Sequence, residues 1–298
     1  FKSRGQVSPR ERLNAIWDPA PFVLELYNMA NYLVEDTNHD TSIPGANLIA
    51  GIGYISGVKC MIMIDDSGIK AGAASEATID KALGCLDIAL KQKLPCVHLV
   101  ESAGVDLPNY SVKLWSKFGS VFYKKAKLSA AGIPVIAILH GFSTAGGAYQ
   151  IGMSDYVIGV KGNGMAALAG SALLKAATGE NAKNSDIGGV EMHSVVTGSV
   201  EYLVNDDAES IVTVRKLIDQ LNWNENDAQK TILNFEEPEY PIEDLAGIVP
   251  TDYSKGYDVR EVIARLVDQS GFIELKPKYG LSMVCAQAKI EGIQCGII

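Results

Sequence analysis

Three short runs free of charged residues, 95–100, 134–139 and 156–160, constrain this chain more than any other feature. Each is long enough for one strand and too short for a helix. An apolar run without polar alternation is what a strand covered on both faces requires. The segments around them carry the helical period. Residues 77–92 place Ile79, Leu83, Leu86 and Leu90 on one face, residues 112–131 form a second helix that stops at Gly132, and residues 145–153 read as a helix opened by glycines. Strand and helix therefore alternate, the pattern of an α/β domain with a largely parallel sheet. Upstream, residues 48–55 and 58–64 flank Ser56-Gly57 as a β-hairpin. Ser8-Pro9-Arg10-Glu11 opens a helix with a capping box and a proline at the first position, and Asp18-Pro19 ends it. Residues 201–222 read as a helix with acids at its start, and 222–250 as a polar connector carrying Glu236-Glu237-Pro238-Glu239.

The chain repeats itself. Arg10-Glu11, Leu13, Ile16, Asp18 and Phe22 recur as Arg260-Glu261, Ile263, Leu266, Asp268 and Phe272, at a constant offset of 250. Glu25-Leu26 recurs one residue displaced as Glu274-Leu275. Ile55, Gly57, Val58, Cys60 and Ile62 recur as Ile290, Gly292, Ile293, Cys295 and Ile297 at an offset of 235. Conserved order with one length change argues for a duplicated unit. On this reading one domain covers 1–255, and 256–298 is the truncated beginning of a second.

The net charge of −9 offers no basic face for a sequence-independent grip on nucleic acid. Lys124, Lys125 and Lys127 form a local basic cluster, read first as a solvated helix face. Five scattered cysteines without a CxxC pair support neither a disulfide scaffold nor a cysteine zinc site, and most of them are expected as buried thiols in a reducing compartment. No run of about 18 apolar residues marks a membrane span, and no signal peptide is evident.

Chemistry concentrates in two glycine-bearing loops. Glu101-Ser102-Ala103-Gly104-Val105-Asp106 follows the first apolar run, and Gly141-Phe142-Ser143-Thr144-Ala145-Gly146-Gly147-Ala148-Tyr149 follows the second. Open α/β sheets bind ligands at the carboxyl ends of their strands. Small residues let a ligand approach the backbone, and two loops offering free N–H groups side by side make an oxyanion hole. A nucleophilic alternative has Ser102, Ser143, Ser154 and four histidines to draw on, but no G-x-S-x-G elbow occurs. His98 lies inside an apolar strand and reads as a core histidine, His140 as a backbone-ordering residue, and His193 as the histidine best placed for a site. Neither a P-loop nor a G-x-G-x-x-G after a strand is present.

These residues resemble a known family. Ser143-Thr144-Ala145-Gly146-Gly147-Ala148-Tyr149 with Met153-Ser154-Asp155 is similar to the glycine loop of the carboxyltransferase (β) subunits of biotin-dependent acyl-CoA carboxylases. Residues 95–104 resemble that family's first loop. Lys175-Ala176-Ala177-Thr178-Gly179-Glu180, Gly188-Gly189 with His193 and Gly198, and residues 258–265 fit as well, nearest the methylcrotonyl-CoA/geranyl-CoA carboxylase type. The resemblance implies a crotonase-like (ClpP/crotonase) β-β-α superhelix, one full unit plus the start of a second. It implies carboxyl transfer from carboxybiotin on a carrier protein to a coenzyme A thioester. The enolate would be held by the amides of Ala103, Gly104, Ala145 and Gly146, with Gly147, Thr144 and Lys81 as binding residues and no metal. The biotin ureido nitrogen would take the substrate proton. Biotin carboxylase and biotin carboxyl carrier subunits would be partners of a homo-oligomer, in the cytoplasm or the mitochondrial matrix, with no nucleic acid and no membrane.

Two departures bear on this. Ala103 replaces the family's usual first glycine, and Gly84 stands where related subunits often carry an arginine after Lys81. Three alternatives stay open at this point: a biotin-dependent decarboxylase subunit, a crotonase-type hydratase or isomerase, and a fragment that only binds CoA. The hydratase reading is disfavoured because Tyr149 stands where those enzymes commonly place a glutamate.

Overall fold

The computed structural model describes residues 1–19, 23–223, 235–252 and 254–298. They form two compact units, Phe1–Arg215 and Lys216–Ile298.

In the first unit the order is α1 (Pro9–Ile16), β1 (Leu24–Glu25), β2 (Leu48–Ile55), β3 (Val58–Asp65), β4 (Ala73–Ala74), α2 (Glu76–Gln92), β5 (Cys96–Val100), β6 (Gly104–Val105), α3 (Val112–Ala130) and β7 (Val135–Leu139). Then come β8 (Phe142–Thr144), α4 (Gly146–Gly152), β9 (Tyr156–Val160), β10 (Met165–Ala167), α5 (Ser171–Thr178), α6 (Asn184–Gly188), α7 (Val190–Met192), β11 (Tyr202–Val204) and α8 (Asp207–Gln220), the last running across the division. The seven-stranded sheet has the order β1-β2-β3-β5-β7-β9-β11. Its first three strands are antiparallel and every pair from β3·β5 onward is parallel. The apolar runs supply β5, β7 and β9 at its centre. Every residue of β5 and β7 is buried, as unbroken apolar strands require.

Local signals act where they were expected. Ser8 and Glu11 make the reciprocal capping box of α1, and Ser75 caps α2 through the Thr78 amide. One expected helix begins as a strand. Of residues 201–222, Tyr202–Val204 pair in parallel with Ile158, Gly159 and Val160. The Tyr-Leu-Val run satisfies the open edge of β9 before Asp206 caps the following helix through the Glu209 amide.

The second unit contains α9 (Leu245–Ile248), α10 (Val259–Ile263) and an antiparallel sheet of β12 (Phe272–Leu275), β13 (Cys285–Ile290) and β14 (Ile293–Ile297). Its core gathers Ile263, Val267, Val284 and Ala288. Part of the expected connector, residues 224–234, lies outside the described residues, as does Phe22 of the internal repeat.

The repeat is three-dimensional. In the first unit Asp18 accepts from the Ser56 and Gly57 amides at 3.1 and 2.8 Å, closing the β2–β3 turn. In the second, Asp268 accepts from Glu291 and Gly292 at 2.8 and 2.7 Å, closing the β13–β14 turn. Both turns carry two successive positive φ values, 49° and 76° against 50° and 77°, the hairpin geometry that suits glycine at its second position. Arg10 forks onto Glu25 as Arg260 forks onto Glu274. The same helix, acid and hairpin are thus built twice.

Candidate active site

Both glycine loops leave the carboxyl ends of central strands, and each is pinned beside the main sheet by a small ladder of its own. β6 pairs in parallel with β4, and β8 with β10. The loops also hold each other. The Thr144 amide donates to the Ser102 carbonyl at 2.8 Å. A Cβ added to Gly147 would lie 2.6 Å from that same carbonyl, and one on Gly104 would lie 3.3 Å from the Gly146 nitrogen. Gly104 has φ +85° and Gly146 faces the Phe118 ring, so neither position admits a side chain without rearrangement.

The four expected oxyanion amides are not equivalent. The Ala103 N–H donates to the Gly72 carbonyl at 3.2 Å, and the Ala145 N–H to the carbonyls of Ala167 and Leu168 at 3.1 and 3.2 Å. These two are committed to backbone acceptors and anchor the loops. The Gly104 N–H meets the Ser102 hydroxyl at 3.2 Å, an acceptor that can rotate away. The Gly146 N–H has no acceptor among the described residues. The structure therefore brings Gly104 and Gly146 together as the available pair. Ala103 is exposed, so its methyl points away from the packed loop interior. Ala145 adopts φ 50° and ψ −122°, a conformation costly for any residue with a Cβ, held by the bonds on either side of it.

Beside α4 lies an apolar cavity of about 280 Å³ lined by Ala148, Tyr149, Ala166, Ala167, Leu168 and Val200, among others. No carboxylate lines it. His193 reaches it, but its ring is engaged on both sides, Nε2 at 2.8 Å from the Ala166 carbonyl and Nδ1 at 2.9 Å from the Thr197 hydroxyl. It orders β10 and is not placed as a free base.

Several other expectations change. Lys81 is 3 % exposed, with its ammonium on the Gly45 carbonyl at 3.3 Å and its pKa drawn down by burial, so it does not reach out to a phosphate. The Tyr27 hydroxyl occupies the space over Gly84, where a Cβ would meet it at 2.5 Å. Thr144 and Gly147 lock one loop to the other. The basic cluster of α3 splits: Lys124 pairs with Asp87, Lys127 lies over the Tyr123 ring, and Lys125 is fully buried. No group of three or more metal-ligating side chains occurs among the described residues. Likewise, none of their helices is long and apolar enough to cross a membrane.

Lys125 belongs to a polar chain that composition and spacing did not reveal. His98 Nε2 lies 3.1 Å from Asp65, and Lys125 Nζ lies 3.3 Å from His98 Nδ1 and 3.4 Å from the Gln150 carbonyl of α4. Burial draws His98 below its ordinary value, so the ring is neutral. A carboxylate can only accept, so Nε2 carries the proton toward Asp65 and Nδ1 accepts from the ammonium. Burial also lowers Lys125 to about 8.

Comparison with known proteins agrees with this architecture. The chain is 39 % identical over 298 residues to the mitochondrial methylcrotonoyl-CoA carboxylase beta chain of Dictyostelium discoideum, covering 99 % of this chain and 50 % of the relative. It is 42 % identical to the beta subunit of P. aeruginosa geranyl-CoA carboxylase, with a TM-score of 0.68 over 99 % of this chain and 54 % of that one. A transcarboxylase 12S structure, described as a hexamer with hydrolysed methylmalonyl-coenzyme A bound, superposes with a TM-score of 0.87 at 29 % identity, over 99 % of this chain and 58 % of its own. The chain spans about half the length of the relatives it matches. The fold, a mostly parallel sheet with helices, is the crotonase-like fold of the carboxyltransferase structures it matches. Residues 2–298 match the family described as the carboxyl transferase domain, and the chain belongs to that family.

Proposed function

We propose that this chain forms the acyl-CoA side of a carboxyltransferase, which moves a carboxyl group from carboxybiotin to the α-carbon of an acyl-CoA. The observation that carries the reading is the close approach of the two glycine loops at Gly104 and Gly146, with an apolar cavity along α4 that no carboxylate lines. The substrate's acidic C–H proton would pass to the ureido nitrogen that carboxybiotin frees on giving up its carboxyl group, and its loss places negative charge on the thioester oxygen. Preorganised N–H donors stabilise that charge in the transition state more than in the ground state. The Gly146 N–H is ready to donate. The Gly104 N–H donates to the Ser102 hydroxyl, which itself donates to the Gly72 carbonyl at 3.3 Å, and it becomes ready when that side chain changes rotamer. The apolar cavity along α4 suits a hydrocarbon acyl group. Carboxybiotin supplies the electrophilic carboxyl group.

Domain organisation follows the repeat. The region up to about residue 255 is the N-terminal carboxyltransferase domain, and the second unit's helix and hairpin open its twin. Biotin carboxylase and biotin carrier subunits are the proposed partners of a homo-oligomer, in the cytoplasm or in the mitochondrial matrix. The test is a panel of acyl-CoA thioesters, branched and straight, assayed with carboxylated biotin carrier on the full-length protein. Carboxylation of one apolar acyl-CoA is expected. No transfer in either direction with any member of the panel would refute the reading.

A further inference from the structure

We propose that Asp65, His98 and Lys125 are positioning residues that set the spacing between the two oxyanion loops from beneath. The proposal rests on the function proposed above and adds to it three residues that touch no substrate. The Glu101 amide, at the entrance of the first loop, donates to Asp65 Oδ2 at 3.1 Å. Asp65 Oδ1 accepts from His98, His98 accepts from Lys125, and Lys125 donates to the Gln150 carbonyl in α4, the helix that starts at Gly146. The chain of bonds is thus continuous from one loop to the other. It crosses β3, β5 and α3, and every member is at most 9 % exposed.

The helix α3 grips α4 along one face, where Phe122 also meets Tyr149. Phe118 lies against Gly146, and Lys125, seven residues on, holds the Gln150 carbonyl. An apolar contact alone would leave α4 free to slide along α3. The directional bond from Lys125 stops that motion. A buried ammonium is expensive, and well-packed apolar residues of similar volume often give equal or greater stability. Fold stability therefore does not account for the charge here, whereas register of the loops does.

The test uses the full-length protein and the acyl-CoA it carboxylates best. His98→Leu and Lys125→Met should lower kcat about 30-fold or more while KM for acyl-CoA stays within about threefold, because misplacement of a donor by about 1 Å is felt in the transition state. His98→Gln retains a donor and an acceptor and should recover at least about tenfold over His98→Leu. Asp65→Asn is nearly isosteric and should lower kcat about tenfold. A purely structural role would lower the melting temperature and leave kcat per folded molecule unchanged. Crystal structures of wild type and Asp65→Asn give a second readout independent of turnover, with the Gly104–Gly146 separation expected to change. Folded variants that turn over like wild type, or an unchanged separation, would overturn the proposal. A wild type that carboxylates nothing would instead sink the parent reading.

Discussion

Gly146→Ala is the sharpest perturbation the site allows. The added methyl carbon would sit 2.2 Å from Cε1 and 2.7 Å from Cζ of Phe118, where ordinary contact begins at 3.4 Å. Something must move by about 1.2 Å. The Phe118 ring cannot retreat freely, because it packs edge-on against Phe122 at 5.1 Å, and Phe122 meets Tyr149 at 5.3 Å. Tyr149 belongs to α4, so the push returns to the helix that carries Gly146. Removal or displacement of one oxyanion donor costs roughly 100- to 1000-fold in kcat, about 3–4 kcal/mol. The strain should also cost about 1–3 kcal/mol of stability. The assay is steady-state carboxylation at saturating acyl-CoA on the full-length protein, with thermal unfolding measured in parallel. Gly146→Ala/Phe118→Leu opens the space and should regain at least about tenfold of the lost kcat. Turnover of Gly146→Ala within about threefold of wild type would refute the assignment of this amide. A double variant as slow as the single one would show that the methyl obstructs substrate directly and that displacement is not the cause.

Lys125 should leave a mark on stability against pH. Below about pH 8 both folded and unfolded chains hold its proton, and the folded state bears the whole cost of burial. Between about 8 and the ordinary 10.5 only the unfolded chain holds it, so unfolding takes up a proton and this residue's contribution to stability rises with pH. The stability difference between Lys125→Met and wild type should shift in favour of wild type across that window in denaturant titrations, and a constant difference would contradict the burial. Arg12 is 1 % exposed and holds Asp207 through two bonds at 3.2 and 2.8 Å. Arg12→Met should cost roughly 3 kcal/mol, most of it restored by adding Asp207→Leu; equal stability of single and double variants would argue against the pair. Burial raises the thiols of Cys60, Cys85 and Cys96, the latter two to about 12 and 11. Iodoacetamide on the native protein should label only Cys285 and Cys295, which are partly exposed, and mass spectrometry of the peptides would reveal any other pattern.

The parts of the fold legible in the sequence are those that local physics decides. The runs at β5, β7 and β9 are apolar because both faces are covered, the capping box at Ser8 is a four-residue event, and the Ser56-Gly57 turn needs only its own two residues. The two glycine loops were legible for the same reason. The states of their amides were not. Whether Ala103 can donate to a ligand depends on Gly72, 31 residues upstream, whose carbonyl takes that N–H. Lys81 lies toward one side of the buried face of α2, and its partner, the Gly45 carbonyl, decides that it is inside. Lys125 falls in register with Leu114, Phe118, Val121 and Leu128, so the period already carried the signal of its burial, which its neighbours Lys124 and Lys127 obscured; its partners His98 and Gln150 emerge only from the tertiary structure. The strand at Tyr202–Val204 was masked by the acids that follow it, because helical propensity there competed with a sheet edge visible only in three dimensions. The internal repeat was readable because it is a comparison of the chain with itself. Its structural meaning, one aspartate closing one hairpin in each unit, emerges only from the hydrogen bonds.

The strained backbone at Ala145 decides which way the next peptide plane faces. The N–H of Gly146 belongs to the peptide plane between the two residues, and the ψ of Ala145 sets which way that plane faces. At −122° the N–H is presented. A half-turn of the plane would carry ψ to about +60°, into the left-handed region that alanine tolerates better, and would exchange the N–H for a carbonyl oxygen. The alanine methyl thus leans toward the orientation that repels an oxyanion, and the Ala148 N–H, which donates to the Ala145 carbonyl at 3.2 Å, leans against it. In the proposed reaction a developing negative charge would add its weight to the presented side, and part of the enolate's binding energy would go into keeping the plane turned outward.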